Sequence, residues 1–160
     1  MSISVGDKAP AVTFKTMGSA GPENLEASDF FGGKKVVLFA VPGAFTPTCS
    51  AKHLPGFIEK ADQIKAKGVD EIACIAVNDA FVMGAWGEAQ GAGSAVKMVA
   101  DGNGDFAQAC GLTMDGSGFG LGQRMQRCAM VVDNGTVTQL FVEEPGQFEA
   151  STAENVLANL

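Results

Sequence analysis

Cys49 stands in a setting that suits a reactive thiol. The stretch Val41-Pro42-Gly43-Ala44-Phe45-Thr46-Pro47-Thr48-Cys49-Ser50 combines two prolines, a glycine and several hydroxyl side chains around it. Just before it, Lys34 and Lys35 lead into Val36-Val37-Leu38-Phe39-Ala40, a continuous apolar run that reads as a strand buried on both faces. Just after it, Leu54, Phe57, Ile58, Ala61 and Ile64 fall at helical spacing, so a helix is expected over 50–67, beginning near Cys49. A cysteine at such a junction faces unsatisfied N–H groups and the positive end of the helix dipole. Both favour the thiolate, the nucleophilic form of sulfur.

The helix end alone is too weak. An ordinary thiol is only about 3% ionised at neutral pH, and making it largely thiolate takes roughly 3.4 kcal/mol. A helix terminus supplies about 0.3–1 kcal/mol, at most about 2. A cation near the sulfur is therefore expected. Thr46 lies three residues before Cys49, so its hydroxyl can turn toward the sulfur or toward a bound substrate oxygen. Pro42 and Pro47 stiffen the loop. An inert buried thiol is the ordinary reading of a lone cysteine, and the Pro/Thr loop at a helix start outweighs it here.

The elements that must hold this loop follow in order. Residues 1–13 read as an irregular arm, Val12 to Lys15 as a short strand, and 18–29 as polar turns, with one helical turn at 28–33. Glu71 to Val77 is the next buried strand, Asn78-Asp79 starts a helix through about Gln90, and Val96 to Ala100 is a third strand. A short helix ends at Cys110 with Gly111 past it. Asp115 to Gly122 is a glycine-rich loop, expected to be mobile and near the active site. Its alternating glycines lack the spacing of a phosphate loop. Gln123 to Asp133 and Thr136 to Glu143 read as strands joined by Asn134-Gly135, a strong hairpin signal, and Ala150 to Leu160 as a closing helix. This alternation of strands and helices is that of a single α/β domain spanning 1–160.

Composition narrows the function. The 160 residues are 46% hydrophobic, enough for a real core. A formal charge of −7 argues against nucleic acid or an anionic membrane as partner. The N-terminal residues show neither the basic region nor the apolar run of a signal peptide, and no transmembrane span is expected. Cysteines at 49, 74, 110 and 128 form no disulfide framework and no metal-ligand spacing, with no Cys-x-x-Cys. A reducing cytoplasm fits them.

Pro42-x-x-x-Thr46-x-x-Cys49 resembles the active-site signature of the peroxiredoxins, thiol peroxidases on a thioredoxin-like fold with a central mixed β-sheet flanked by helices. The full loop with His53-Leu54-Pro55-Gly56-Phe57 is similar to the atypical type II subclass. The likeness continues through Ala76-Val77-Asn78-Asp79 and Arg127-Cys128-Ala129-Met130-Val131-Val132. It implies that Cys49 thiolate attacks hydrogen peroxide or an alkyl hydroperoxide and becomes a sulfenic acid. Arg127, the Thr46 hydroxyl and N–H groups after Pro42 would stabilise the leaving oxygen. The family's arginine falls on Arg127, with Arg124 the nearest competitor. Gly43, Phe45 and Phe119 are expected around the substrate. His53 would face the site, back it, or lie on the helix surface. Cys74, amid Ile72, Ile75 and Val77, reads as a core thiol with at most a conditional resolving role, and Cys110 and Cys128 as core thiols.

Phe148 to Ala153 holds no cysteine where relatives with an internal resolving thiol carry theirs. A one-cysteine cycle with glutathione and glutaredoxin, or thioredoxin, as external reductant is therefore expected. No cofactor or metal is implied. A homodimer through Phe45, Phe81, Trp86 and Phe119 is expected. A disulfide oxidoreductase is disfavoured because position 52 is lysine. A peroxide sensor or holdase that passes oxidation to partner proteins is the competing reading.

Overall fold

A seven-stranded mixed sheet runs through the computed structural model, which describes residues 2–160. The strands are β1 (Thr13–Gly18), β2 (Gly21–Glu26), β3 (Lys35–Ala40), β4 (Glu71–Ala76), β5 (Lys97–Ala100), β6 (Thr113–Asp115), β7 (Gln123–Met125), β8 (Cys128–Asp133) and β9 (Thr136–Val142). The helices are α1 (Ala27–Phe31), α2 (Leu54–Lys65), α3 (Ala80–Gln90), α4 (Asp105–Cys110) and α5 (Ala153–Ala158). The large sheet has the order β2-β1-β5-β4-β3-β8-β9. Strands β3, β4 and β5 are parallel, and β8 runs antiparallel to β3.

The centre follows from the apolar runs. Successive residues of β3 point to opposite faces, and both faces are covered. Val37 and Phe39 join Phe57 of α2, Trp86 of α3 and Val156 of α5 in one core. Val36 and Leu38 join Phe14, Phe30, Phe31 and Phe106 in the other. The Phe39 and Phe57 rings stack with centroids 4.0 Å apart. Burying one such side chain contributes about 1.5–3 kcal/mol. Asn134 and Gly135 take φ of 48° and 83°, the left-handed pair that a two-residue hairpin turn requires. This is a thioredoxin-like arrangement.

Four elements differ from the sequence expectations. The polar stretch after Gly18 is not all turn. Residues 21–26 form β2, which pairs with β1 from Gly18↔Gly21 to Thr13↔Glu26. It is a mostly exposed edge strand, so it shows no apolar alternation, and its proline is tolerated there. The expected strand 123–133 is two strands. Residues 123–125 pair with β6 in a separate two-stranded sheet, and the chain turns at Gln126 and Arg127 before β8 begins. The glycine-rich loop is thereby the end of a hairpin, with Gly116 N–H donating to Gly122 O at 2.7 Å. The closing helix is shorter than expected and starts after Thr152, whose hydroxyl accepts from Asn155 N–H.

The fourth difference touches the site. Helical backbone begins at Pro47, but Cys49–His53 forms one π-helical turn before α2. Pro55 explains it. In a regular α-helix from Pro47, the Pro55 ring would clash with the carbonyl of residue 51, and no N–H would reach that carbonyl. Widening the turn avoids the clash. Among the described residues no helix is long and apolar enough to cross a membrane.

Candidate active site

The loop after β3 is built from short hydrogen bonds. Val41 N–H donates to Ile75 O, and Ala44 N–H to the Asn78 side chain at 2.9 Å. Thr46 Oγ1 donates to Gly43 O at 2.7 Å. Its hydroxyl proton thus turns to the backbone rather than to the sulfur. Gly43 is tightly surrounded: a Cβ would meet Arg124 Nη1 at 3.0 Å and Thr46 Cγ2 at 3.2 Å, so these side chains would have to shift by a few tenths of an ångström. Phe45 adopts a left-handed φ of 63° and stays 56% exposed. Such a conformation in a bulky residue stores strain that the surrounding bonds must hold.

Cys49 is buried at the first turn of the helix. Arg127, carried in by the break between β7 and β8, places Nη2 3.2 Å from its sulfur. Nη1 lies 2.9 Å from His53 Nδ1, and Phe148 lies under the guanidinium at 5.8 Å. His53 is fully buried, which overturns its placement on the helix surface. Its Nε2 meets Ser151 O at 2.9 Å. Burial, reinforced by Arg127, holds His53 down at about 3, so the ring is neutral at neutral pH.

The two arginines make different contacts. Arg124 donates from Nε to Leu121 O at 2.8 Å and from Nη1 to Pro42 O at 3.4 Å. It braces the loop and leaves the sulfur to Arg127. Phe119 lies at the hairpin end and is 87% exposed. Cys74 is buried opposite Phe39 across the β3–β4 pair. Burial, with the Cys49 sulfur nearby, pushes its thiol well up. Burial pushes Cys110 and Cys128 up to about 12. All four cysteines are free. Trp86 was expected at a surface patch but is fully buried, its indole N–H bonded to Ser50 Oγ at 3.0 Å.

The Redoxin family model matches residues 4–157. The chain is 51% identical over 164 residues to the chloroplastic peroxiredoxin-2E-2 of Oryza sativa subsp. japonica, covering 99% of this chain and 73% of that one. It is 47% identical to peroxiredoxin-2B of Arabidopsis thaliana over 159 residues, 99% of this chain and 98% of that one. The chain belongs to the peroxiredoxins. A solved structure described as reduced Prx3 in complex with hydrogen peroxide, from Vibrio vulnificus, superposes with a TM-score of 0.94 at 56% identity, covering 98% of each chain. This peroxiredoxin is of the type II group that its loop resembles, and it is a thiol-dependent peroxidase.

Three residues of the peroxiredoxin's site escaped sequence reasoning. Asn78 sits within a matched motif, yet its bond to the loop has no local signal. Ser151 acts through its carbonyl, which every residue type has. Glu143 follows the last strand, and the acidic pair Glu143-Glu144 after Leu140-Phe141-Val142 was the one available hint.

Proposed function

We propose that Cys49 is the thiol that attacks peroxide. The thiolate takes the nearer oxygen of hydrogen peroxide or an alkyl hydroperoxide, and the O–O bond breaks. Sulfur is oxidised to sulfenic acid, and the other oxygen leaves as hydroxide or alkoxide and is protonated to water or alcohol. The observation that carries this reading is Arg127 Nη2 at 3.2 Å from Cys49 Sγ. A guanidinium keeps its charge, and its fork can hold sulfur and a peroxide oxygen together. Thr46 has its proton committed to Gly43 O, so its oxygen is left to accept from the peroxide O–H. Of the N–H groups after Pro42, that of Ala44 is taken by Asn78.

The cycle we propose uses one cysteine. Cys74, Cys110 and Cys128 are buried with their thiols pushed up, which favours an external reductant: glutathione with glutaredoxin, or thioredoxin. Free thiols support a reducing cytoplasm. Exposed Phe45, Phe81 and Phe119 support a homodimer. A steady-state assay tests the reading, with hydrogen peroxide and either glutathione–glutaredoxin or thioredoxin. Many turnovers with one of them are expected. Consumption of a single equivalent with both would instead identify a sensor.

A further inference from the structure

The segment after β9 is held by one carboxylate. Glu143, almost fully buried, accepts from the backbone N–H of Glu149 at 2.8 Å, Ala150 at 3.2 Å and Ser151 at 2.8 Å. It also accepts from the Ser151 hydroxyl at 2.6 Å. Its own N–H donates to Arg127 O at 3.0 Å. Burial alone would raise its proton affinity, but the Ser151, Ala150 and Glu149 donors outweigh that and hold Glu143 below the usual carboxylate range. A buried carboxylate with four donors is a stiff anchor for the residues that supply them.

That anchor dictates a proton position at His53. The Ser151 carbonyl can only accept, so the His53 Nε2 beside it carries the hydrogen. The neutral ring then presents a bare lone pair at Nδ1, and this accepts Arg127 Nη1–H at 2.9 Å. The other tautomer would set N–H against N–H at Arg127 and a lone pair against the Ser151 carbonyl. Because a guanidinium is rigid and planar, holding Nη1 fixes Nη2, which lies 3.2 Å from the Cys49 sulfur.

We infer that Glu143 is a positioning residue for peroxide reduction, acting through the Ser151 carbonyl and the His53 tautomer to aim Arg127 at Cys49. The inference rests on Cys49 being the attacking thiol. Glu143 has no need to meet peroxide. Its charge locks a backbone carbonyl in place, and that carbonyl chooses which ring nitrogen faces the guanidinium.

The test combines Glu143→Gln with two replacements of His53. In Asn the side-chain oxygen takes the place of Nδ1, so His53→Asn keeps an acceptor for Arg127 without needing Ser151. In Gln the amide takes the place of Nε2, so His53→Gln keeps the Ser151 bond and loses the Arg127 acceptor. Two readouts are taken on folded protein: the second-order rate with hydrogen peroxide, and the ultraviolet thiolate absorbance at neutral pH. Glu143→Gln is expected to lower the rate on the order of threefold to tenfold, the worth of one hydrogen bond, and to lower the thiolate signal with it. His53→Gln should fall further than His53→Asn, and adding Glu143→Gln to His53→Gln should cost nothing more.

A Glu143→Gln enzyme with reduced melting temperature but unchanged rate and thiolate signal overturns the inference, since the clamp would then be structural only. So do equal rates for the two His53 variants. Should Glu143→Gln fail to fold, Glu143→Asp, which keeps the charge and shortens its reach, takes its place with the same two readouts. Cys49→Ser is run alongside. If it stays active, the reading of the thiol has failed. If it is dead while Glu143→Gln behaves as wild type, only the positioning role has.

Discussion

Arg127 donates to the sulfur of Cys49 at 3.2 Å although 78 positions separate them in the chain. A charge pair near that separation is worth on the order of 4 kcal/mol at an effective dielectric of about 20. The helix end adds at most about 2. At hydrogen-bonding distance a guanidinium is thus a stronger partner for a thiolate than a helix end is. Arg124, bonded to Leu121 O and Pro42 O, shapes the loop without touching sulfur.

The two arginines should thus separate in the laboratory. Arg127→Lys keeps a charge but not the fork, and it is expected to lose on the order of ten- to a hundredfold in the second-order rate with hydrogen peroxide. Arg127→Ala should also lower the thiolate absorbance at neutral pH. Arg124→Ala should leave that absorbance near wild type. A thiolate signal that follows Arg124 and ignores Arg127 would reverse the assignment.

Cys49→Ser is expected to abolish peroxidase activity, while single serine replacements at Cys74, Cys110 and Cys128 leave most of it. The three other thiols are buried, and burial pushes their pKa values up, so little thiolate forms. Thiolates are the reactive form, so these sulfurs are slow to react in the folded protein. A folded Cys74→Ser as inactive as Cys49→Ser, measured with either reductant, would defeat the one-cysteine cycle.

The legible parts of this molecule are those whose stabilisation is local or apolar. Strands β3, β4 and β8 were readable as continuous apolar runs, because burial on both faces leaves no other composition. Asn134-Gly135 and the Asp79 cap announced themselves by residue type. Strand β2 did not, since an exposed edge strand is selected by its pairing and not by its hydrophobicity. The π turn was encoded in Pro55, but only a helix already running from Pro47 makes that proline an obstacle. The support behind Arg127 was the least visible part. His53, Ser151 and Glu143 are joined by hydrogen bonds spanning up to 98 positions, and one of the bonding groups is a backbone carbonyl. Trp86 misled for the opposite reason: a large aromatic near a loop was read as surface, while the ring is buried and its N–H has a half-buried partner in Ser50.

The exposed aromatics that remain are Phe45, Phe81 and Phe119, at 56%, 66% and 87%. Covering one such ring is worth about 1.5–3 kcal/mol. A homodimer of the reduced protein is expected, weakened by Phe45→Ser or Phe81→Ser with little effect on the fold. Light scattering at tens of micromolar measures it, and a strict monomer there removes the claim.

His53 should leave its mark on stability against pH. It is the only histidine in the chain. Unfolded, it takes up a proton near pH 6.5. Folded, burial and then the Arg127 guanidinium hold it down at about 3. Between these values the unfolded chain binds one more proton than the folded one. Stability is therefore complete above about pH 6.5 and falls as the pH drops, by up to about 1.4 kcal/mol per unit. Glu143, whose carboxyl is held low by its Ser151, Ala150 and Glu149 donors against the effect of burial, acts with the same sign. Its ordinary value is 4.5, so its loss comes at lower pH. The interval from about pH 6.5 to about 5 thus isolates the histidine. Urea unfolding of wild type and His53→Asn across that interval gives the difference. Wild type is expected to lose roughly 1 kcal/mol per unit relative to the variant. Parallel curves would mean that His53 is protonated in the folded protein, and the bare Nδ1 that Arg127 requires would not exist.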